Sequence, residues 1–460
     1  MLIRTAHALA AALALAIPCA LASDCADPAS DLDTAVRKGL GVRAYSVEPM
    51  KLPMAAGAAF VLQLNLGGKA YTADLALDPV DTADCVMLLD DGSGPMKEVA
   101  PPPPCTYRGP VRGVPGSMAS GSLIDGQFTG IVVLSDRVSA WNILPLNQIV
   151  KSAPRELHIL SRFEDSEGGE WRCGVEASGL PTGLAPQHPS GGGPDSGPLF
   201  CELAIEADYP YFQAVGGTAS TVAQDISTVI ANVTSYSMLS GCNLRFRIVR
   251  YVIRATPQSN PGLYNVTDPN TLLQNFRTVW NNLAGAIPRD TAHMFTGQDL
   301  NGTTVGIAYL SCVCTSTFGY GLSQSRFSLQ PGRRAALSAH ELGHNFSANH
   351  CDASPNTCSP CWLMLATQGS TTNQLTRYGC STDIIRNYAQ GRPCLGPTDG
   401  AGAACDADLD GDGALTVLDM LAFQNAFTAG DPRADADHNG SLNVNDFLAY
   451  LGAFSAGCPG

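Results

Sequence analysis

His340-Glu341-Leu342-Gly343-His344-Asn345-Phe346-Ser347-Ala348-Asn349-His350 is the stretch that decides what the middle of this chain must be. Residues four apart on a helix share a face, so His340 and His344 can direct imidazole nitrogens at one point. Two such histidines, with a glutamate beside the first, form a zinc-binding pattern in which Glu341 reaches a water held by the metal. Zinc that keeps one position open needs a third protein ligand. The chain contains no Glu after Glu341, which removes a downstream glutamate from consideration. An Asp ligand would leave His350 unexplained, although three of only eight histidines fall in this stretch. His340, His344 and His350 are therefore the expected ligands and Glu341 the expected general base.

Working outward, Pro331-Gly332 offers a helix start, and residues 333–339 are a credible first half of the metal-binding helix. Upstream, residues 220–240 and 271–286 read as amphipathic helices, whereas 203–205, 244–254 and 305–309 read as strands. Strands alternating with helices indicate an α/β sheet covered by helices. Residues 60–66 and 72–77 alternate apolar with polar or small residues around a Gly-Gly pair, so the N-terminal part is mostly β. Beyond Asn349 the periodicity gives way to a Cys-, Ser- and Pro-rich coil that disulfides are expected to hold.

Two Gly/Pro-rich stretches divide the chain, at 181–198 and 396–404. The expected organisation is a signal peptide over 1–22, an N-terminal domain over 23–180, a central domain over 199–395 and a small domain over 405–460. Arg4, the apolar run 8–17 and Ala20-Leu21-Ala22 carry the signal-peptide reading. That places the mature chain outside the cytosol, with no segment long and apolar enough for a membrane span. The sixteen cysteines fit an oxidising compartment, and loss of Cys19 with the signal leaves an odd number. A formal net charge of -14 argues against nucleic acid as a partner.

The C-terminal segment is dense in aspartate. Asp408, Asp410 and Asp412, with Gly413 and Asp419, match positions 1, 3, 5, 6 and 12 of a calcium loop. Asp435, Asp437 and Asn439, with Gly440 and Asp446, repeat the pattern, and an apolar helix is expected after each loop. A final Asp in place of Glu, with no helix before either loop, resembles the duplicated repeat of a dockerin. That resemblance implies a two-calcium α-helical domain that docks to a cohesin-like receptor. Cys405 and Cys458 bracket it and are expected to pair.

The histidine stretch as a whole resembles the zinc signature of the metzincins, and within them the adamalysin (reprolysin) branch. Cys361-Trp362-Leu363-Met364 resembles the Met-turn of that family, which would put Met364 beneath the zinc ligands. Residues 200–208 and 290–297 resemble two of its strands, and 305–309 its substrate-binding edge. Cys380 and Cys394 resemble its closing cysteines. The resemblance implies a mixed twisted sheet with a zinc helix, one catalytic zinc, a protein or peptide substrate and a structural calcium at Glu202 and Asp290. Trp171-Arg172-Cys173-Gly174-Val175 resembles a cysteine switch, in which a propeptide thiolate fills the fourth zinc position and Arg172 favours its ionised form. Residues 105–109 and 117–130 resemble the reprolysin propeptide, so 23–180 would be a prodomain.

Two departures stand out. Ser347 replaces a family Gly at a position needing an unusual backbone turn, and Cys351 replaces an Asp. The implied activity is that of a secreted zinc endopeptidase kept latent by Cys173. The alternative is a secreted binding or adhesion protein with a degenerate zinc domain, which the intact Glu341 disfavours.

Overall fold

The computed structural model describes residues 28–54, 57–134, 140–167, 169–175, 198–259, 262–263, 265–283, 289–315, 317–353, 357–368, 376–392, 394–396, 417–429, 434, 436 and 442–456. The expected signal peptide, nearly all of the first linker and most of the calcium-loop residues lie outside these. The chain folds as two units, one holding nearly all of residues 1–395 and the other holding 396–460.

In the larger unit, alternation makes strands where the sequence alternates. Ala59–Leu66 and Lys69–Leu77 form an antiparallel hairpin turned by Gly67 and Gly68, both with positive φ. They end an eight-stranded antiparallel sheet built wholly from residues before Cys173. A second, nine-stranded sheet holds Leu199–Ala207 and Leu244–Arg254 side by side and parallel, followed by Thr291–Phe295, Tyr320–Ser323 and Thr304–Ala308. The last of these runs antiparallel to its neighbour. Two helices lie against one another beside this sheet, Ala219–Ser240 and Pro331–Asn345. The first ends on Gly241 in a left-handed cap, as a helix with glycine after its last turn should.

The nine-stranded sheet is not confined to the central part of the sequence. Asp81–Asp90, from the N-terminal part, pairs parallel with Leu244–Arg254, and Trp171–Cys173 pairs with Thr304–Ala308. The apolar core follows suit, since Met87, Ile131, Val133 and Phe163 share one buried cluster with Ile205, Ile230, Ala336 and Met364. The division read from the sequence near residue 180 is thus no division of packing.

In the smaller unit, Val417–Ala429 and Val444–Ala456 are helices at the places expected after the two loops. Phe423 stacks on Tyr450 at 4.0 Å between ring centres, and Ala426 and Ala434 complete a small core. Asp419 and Asp446, the last positions of the two loops, are buried. Asp408, Asp410, Asp412, Asp435, Asp437 and Asn439 lie outside the described residues, as do Cys405 and Cys458.

Candidate metal centre

Pro331–Asn345 is helical and wholly buried. His340 and His344, one turn apart, bring their Nε2 atoms within 3.1 Å of each other. The chain leaves the helix through Phe346 and Ser347 and returns His350, whose Nε2 lies 3.3 Å from that of His340. Ser347 makes that reversal with φ +74°, so the glycine-like turn is present in a residue that bears a Cβ, at a cost of roughly 1–2 kcal/mol. Its amide donates to the His344 carbonyl, and the Ser311 hydroxyl donates to its Oγ at 2.8 Å.

The imidazoles are presented as ligands. Nδ1 of His340 donates to the Leu363 carbonyl and Nδ1 of His344 to the Ala348 carbonyl, each at 2.6 Å. These bonds leave the Nε2 lone pairs turned toward one another, where they repel unless a cation lies between them. Burial pushes the pKa of His340 down to about 3 and also lowers those of His344 and His350, which keeps all three neutral, the form that binds metal. Ligands at about 2.0–2.1 Å in a tetrahedron would be about 3.3–3.4 Å apart, so the observed spacing fits one zinc ion.

Glu341 is buried on the side of the helix facing Thr304–Ala308. Its Oε1 has no partner, and burial holds the carboxyl well above the usual range. A Cβ on Gly306 would lie 2.4 Å from that Oε1, so only glycine lets the strand pass this close. Beneath the ligands, a Cβ on Gly343 would meet Met364 Sδ at 2.7 Å, and the Tyr378 hydroxyl donates to the Ala339 carbonyl. Met364 is fully buried.

The departure at Cys351 has a structural account. Cys351 forms a disulfide with Cys361, and its amide donates to the Met364 carbonyl. The third histidine is therefore tied covalently to the turn that underlies it. Cys358–Cys380 and Cys314–Cys394 hold the rest of this coil. Asp352, one place later than in the family pattern, accepts from the Ala366 amide at 3.0 Å.

Cys173 lies at the same point from the opposite side. Its Sγ is 3.4 Å from His344 Nε2 and 3.3 Å from Glu341 Oε2, so four ligand atoms from Cys173, His340, His344 and His350 converge within 4.8 Å. Without a cation, desolvation and then the Glu341 charge push this thiol well above its ordinary value. Arg172, expected to favour the thiolate, is exposed; a dication beside the sulfur would supply that effect instead. The arm is anchored by backbone bonds on both sides. Arg172 N donates to Thr303 O, Gly174 N to Gly306 O and Cys173 N to Ala366 O. Trp171 packs among Leu337, Val305 and Phe327, with its ring edge-on to His340 at 6.0 Å.

The two residues of the implied structural calcium site are neighbours, joined through their backbones and the Asp290 carboxylate. Glu202 N donates to Asp290 Oδ2 at 2.8 Å, and Asp290 N donates back to Glu202 O. Burial raises Asp290 to about 7. Asp290 lies beside Cys314 and Cys394, which are bonded to each other.

Two contributors escaped the sequence reading. Gly306 had a signal, because a glycine inside a strand marks close approach of another group. Asn345 had none: its Nδ2 donates to the carbonyls of Tyr309 and Tyr320, fastening the ligand-bearing end of the helix to the sheet.

Comparison with known proteins places this geometry. Residues 199–389 match the profile Reprolysin_5, Metallo-peptidase family M12. The chain is 25% identical over 308 residues to disintegrin and metalloproteinase domain-containing protein 10 of Mus musculus, covering 55% of this chain and 40% of that protein. It is 26% identical over 273 residues to disintegrin and metalloproteinase domain-containing protein 15 of Homo sapiens, covering 56% and 29%. It is 32% identical over 122 residues to the snake venom metalloproteinase acutolysin-C of Deinagkistrodon acutus, covering 26% and 28%. The chain thus spans less than half the length of each of these relatives. It carries a reprolysin-type M12 metallopeptidase domain.

Proposed function

We propose that this chain is a zinc-dependent endopeptidase whose M12 domain cuts peptide bonds in a protein substrate. The observation that carries the reading is the set of three neutral imidazoles with convergent Nε2 atoms beside a buried, unpaired Glu341 carboxyl oxygen. Bound zinc would supply Lewis acidity, polarising the scissile carbonyl and making water a nucleophile near neutral pH. Glu341 takes the proton of the attacking water and delivers it to the leaving amine. Thr304–Ala308 offers backbone partners to an extended substrate, as an edge strand does in β-addition. His340 and His344 are held in orientation by the carbonyls of Leu363 and Ala348.

Cys173 keeps the uncut chain latent in this reading. Its sulfur occupies the approach to the histidines, and its strand occupies the substrate edge. The signal-like start at residues 1–22 and the disulfides support secretion. Among the described residues, no helix is long and apolar enough to cross a membrane. Calcium at the two C-terminal loops, and at Glu202 and Asp290, completes the cofactor set.

Tethering through the C-terminal domain finds support in an exposed apolar face. Met420 and Leu421 in one repeat, and Phe447 and Leu448 at the same places in the other, are exposed. Repeated apolar residues left outside a core mark an association surface, and a cohesin-like receptor is the proposed partner.

The test compares the wild type with Glu341→Ala on a mixed peptide library after removal of the N-terminal arm, with zinc measured in both. Loss of cutting with one zinc retained is expected. Cutting that survives the substitution, or a wild type without zinc, overturns the reading.

A further inference from the structure

We infer that the N-terminal domain is a permanent half of the folded enzyme, which caps the zinc helix and stays bound after the chain is cut between residues 175 and 198. Only the arm at 171–175 needs to leave the site. This deepens the endopeptidase reading and rests on it for what the arm controls, but the association itself is independent of activity.

The zinc helix lacks a cap of its own. Gln330, at its N-cap, makes no capping bond with its side chain. The amide of Gly332, one of the orphan donors every helix start leaves, donates instead to Oδ1 of Asn142 at 2.8 Å. Asn142 is buried on Ala140–Pro145, a central strand of the N-terminal sheet. Its Nδ2 donates to Gln330 Oε1, which also accepts from the Ser166 hydroxyl, and Gln330 Nε2 donates to the Leu40 carbonyl. Phe163 fills the space beside Gly332 so fully that a Cβ there would lie 1.8 Å from its ring. The start of the helix that bears His340 and His344 is thus finished by residues more than 160 positions away.

The same dependence recurs along the sheet. Residues 86–90 pair in parallel with 250–254, satisfying an edge of Leu244–Arg254 that would otherwise be bare. Arg254, buried, bonds Glu206 on one side and Asp90 of the N-terminal part on the other, at 2.6 and 2.7 Å. The Ser120 hydroxyl donates to Asn232, and Thr228 donates to Ser122, both pairs buried. Removing this domain would strip Met87, Ile131, Val133 and Phe163 from the core of the M12 domain. It would also leave buried polar groups without partners, which is costlier than never having formed the bonds. The arm is smaller: three residues of strand, held by three backbone bonds and the buried Trp171, with Arg172 exposed.

The experiment places a recognition sequence for a specific protease between residues 185 and 190 of the full chain. After cutting, the two pieces are followed by size exclusion, native mass spectrometry and zinc content. The expected result is one 1:1 complex that keeps its zinc, in 1 M salt as at low salt, with residues 28–175 and 198–395 melting together in one transition separate from that of the C-terminal unit. A C-terminal piece that elutes alone, folded and zinc-loaded, overturns the inference. Peptide hydrolysis is measured in parallel. An inactive complex leaves both readings standing, because the arm that ends in Val175 still blocks the histidines, whereas an active isolated piece overturns this inference and upholds the endopeptidase reading. A second variant, Asn142→Ala, is read by amide exchange in the cut complex. Exchange at Gly332 about fivefold faster is expected, as for a lost helix cap; unchanged exchange overturns the capping role.

Discussion

Gly306 and Glu341 approach so closely that a Cβ on the glycine would stand 2.4 Å from the carboxyl oxygen. The strand Thr304–Ala308 and the proposed general base are therefore fitted to one another, and the glycine sets the position of the Glu341 carboxyl. Gly306→Ala should displace Glu341 without touching the histidines. Turnover is expected to fall by about 100-fold, the usual consequence of misplacing a catalytic group by about an ångström. Zinc content, measured on the same preparation, should be unchanged.

Cys173→Ala removes the sulfur from the histidine cluster but leaves the backbone bonds of the arm. The uncut variant should hydrolyse peptide faster than the uncut wild type, yet remain slower than the wild type freed of its arm. Two partial effects are expected because ligand and strand block the site separately. Equal rates for uncut variant and uncut wild type would show that the thiol contributes nothing.

Paired Cys351→Ser and Cys361→Ser substitutions open the short loop that carries His350 to the Met364 turn. Losing a disulfide of this kind costs roughly 2–4 kcal/mol. A lower melting temperature is expected, and zinc should be lost at lower chelator concentration than in the wild type. Opening Cys358–Cys380 alone should lower the melting temperature with less effect on zinc, since neither cysteine adjoins a ligand.

His293 is buried on a central strand, with Nε2 bonded to Ser323 and Nδ1 unpartnered, and desolvation pushes its pKa down to about 3. In the unfolded chain it would titrate near 6.5. Because the folded value is depressed, the stability held by the neutral form is complete above about pH 6.5. It is then lost as the pH falls toward 3, at about 1.4 kcal/mol per unit. His293→Gln should make the acid limb of the stability profile shallower by one proton, as read from urea unfolding between pH 6 and 4.

In the C-terminal unit, Asp419 and Asp446, the last positions of the two calcium loops expected from the sequence, are buried, with the Asn443 amide donating to Asp446 Oδ2 at 2.7 Å. Calcium should raise the melting temperature of this unit, and Asp446→Ala should abolish about half of that rise. Calorimetry with and without chelator provides the measurement.

Much of the metal centre was legible in the sequence because its geometry is local. A helix repeats its face every three to four residues, so the spacing of His340 and His344, with Glu341 between them, already implies one ion and one base. The absence of any later Glu did the rest by selecting His350. The hairpin at Gly67-Gly68, the long helix at 219–240 and the two C-terminal helices were legible for the same reason, since period and turn chemistry lie within a few residues.

Only the tertiary structure decided what surrounds that centre. That Cys173 reaches His344, that Cys351 bonds Cys361, that Gly306 faces Glu341 and that Asn142 caps the zinc helix all depend on strand register and chain crossings. Such contacts join residues far apart in the chain, and no periodicity records them. The division expected near residue 180 rested on the composition of the linker, but sheet pairing and a shared core joined the two sides into one folded unit.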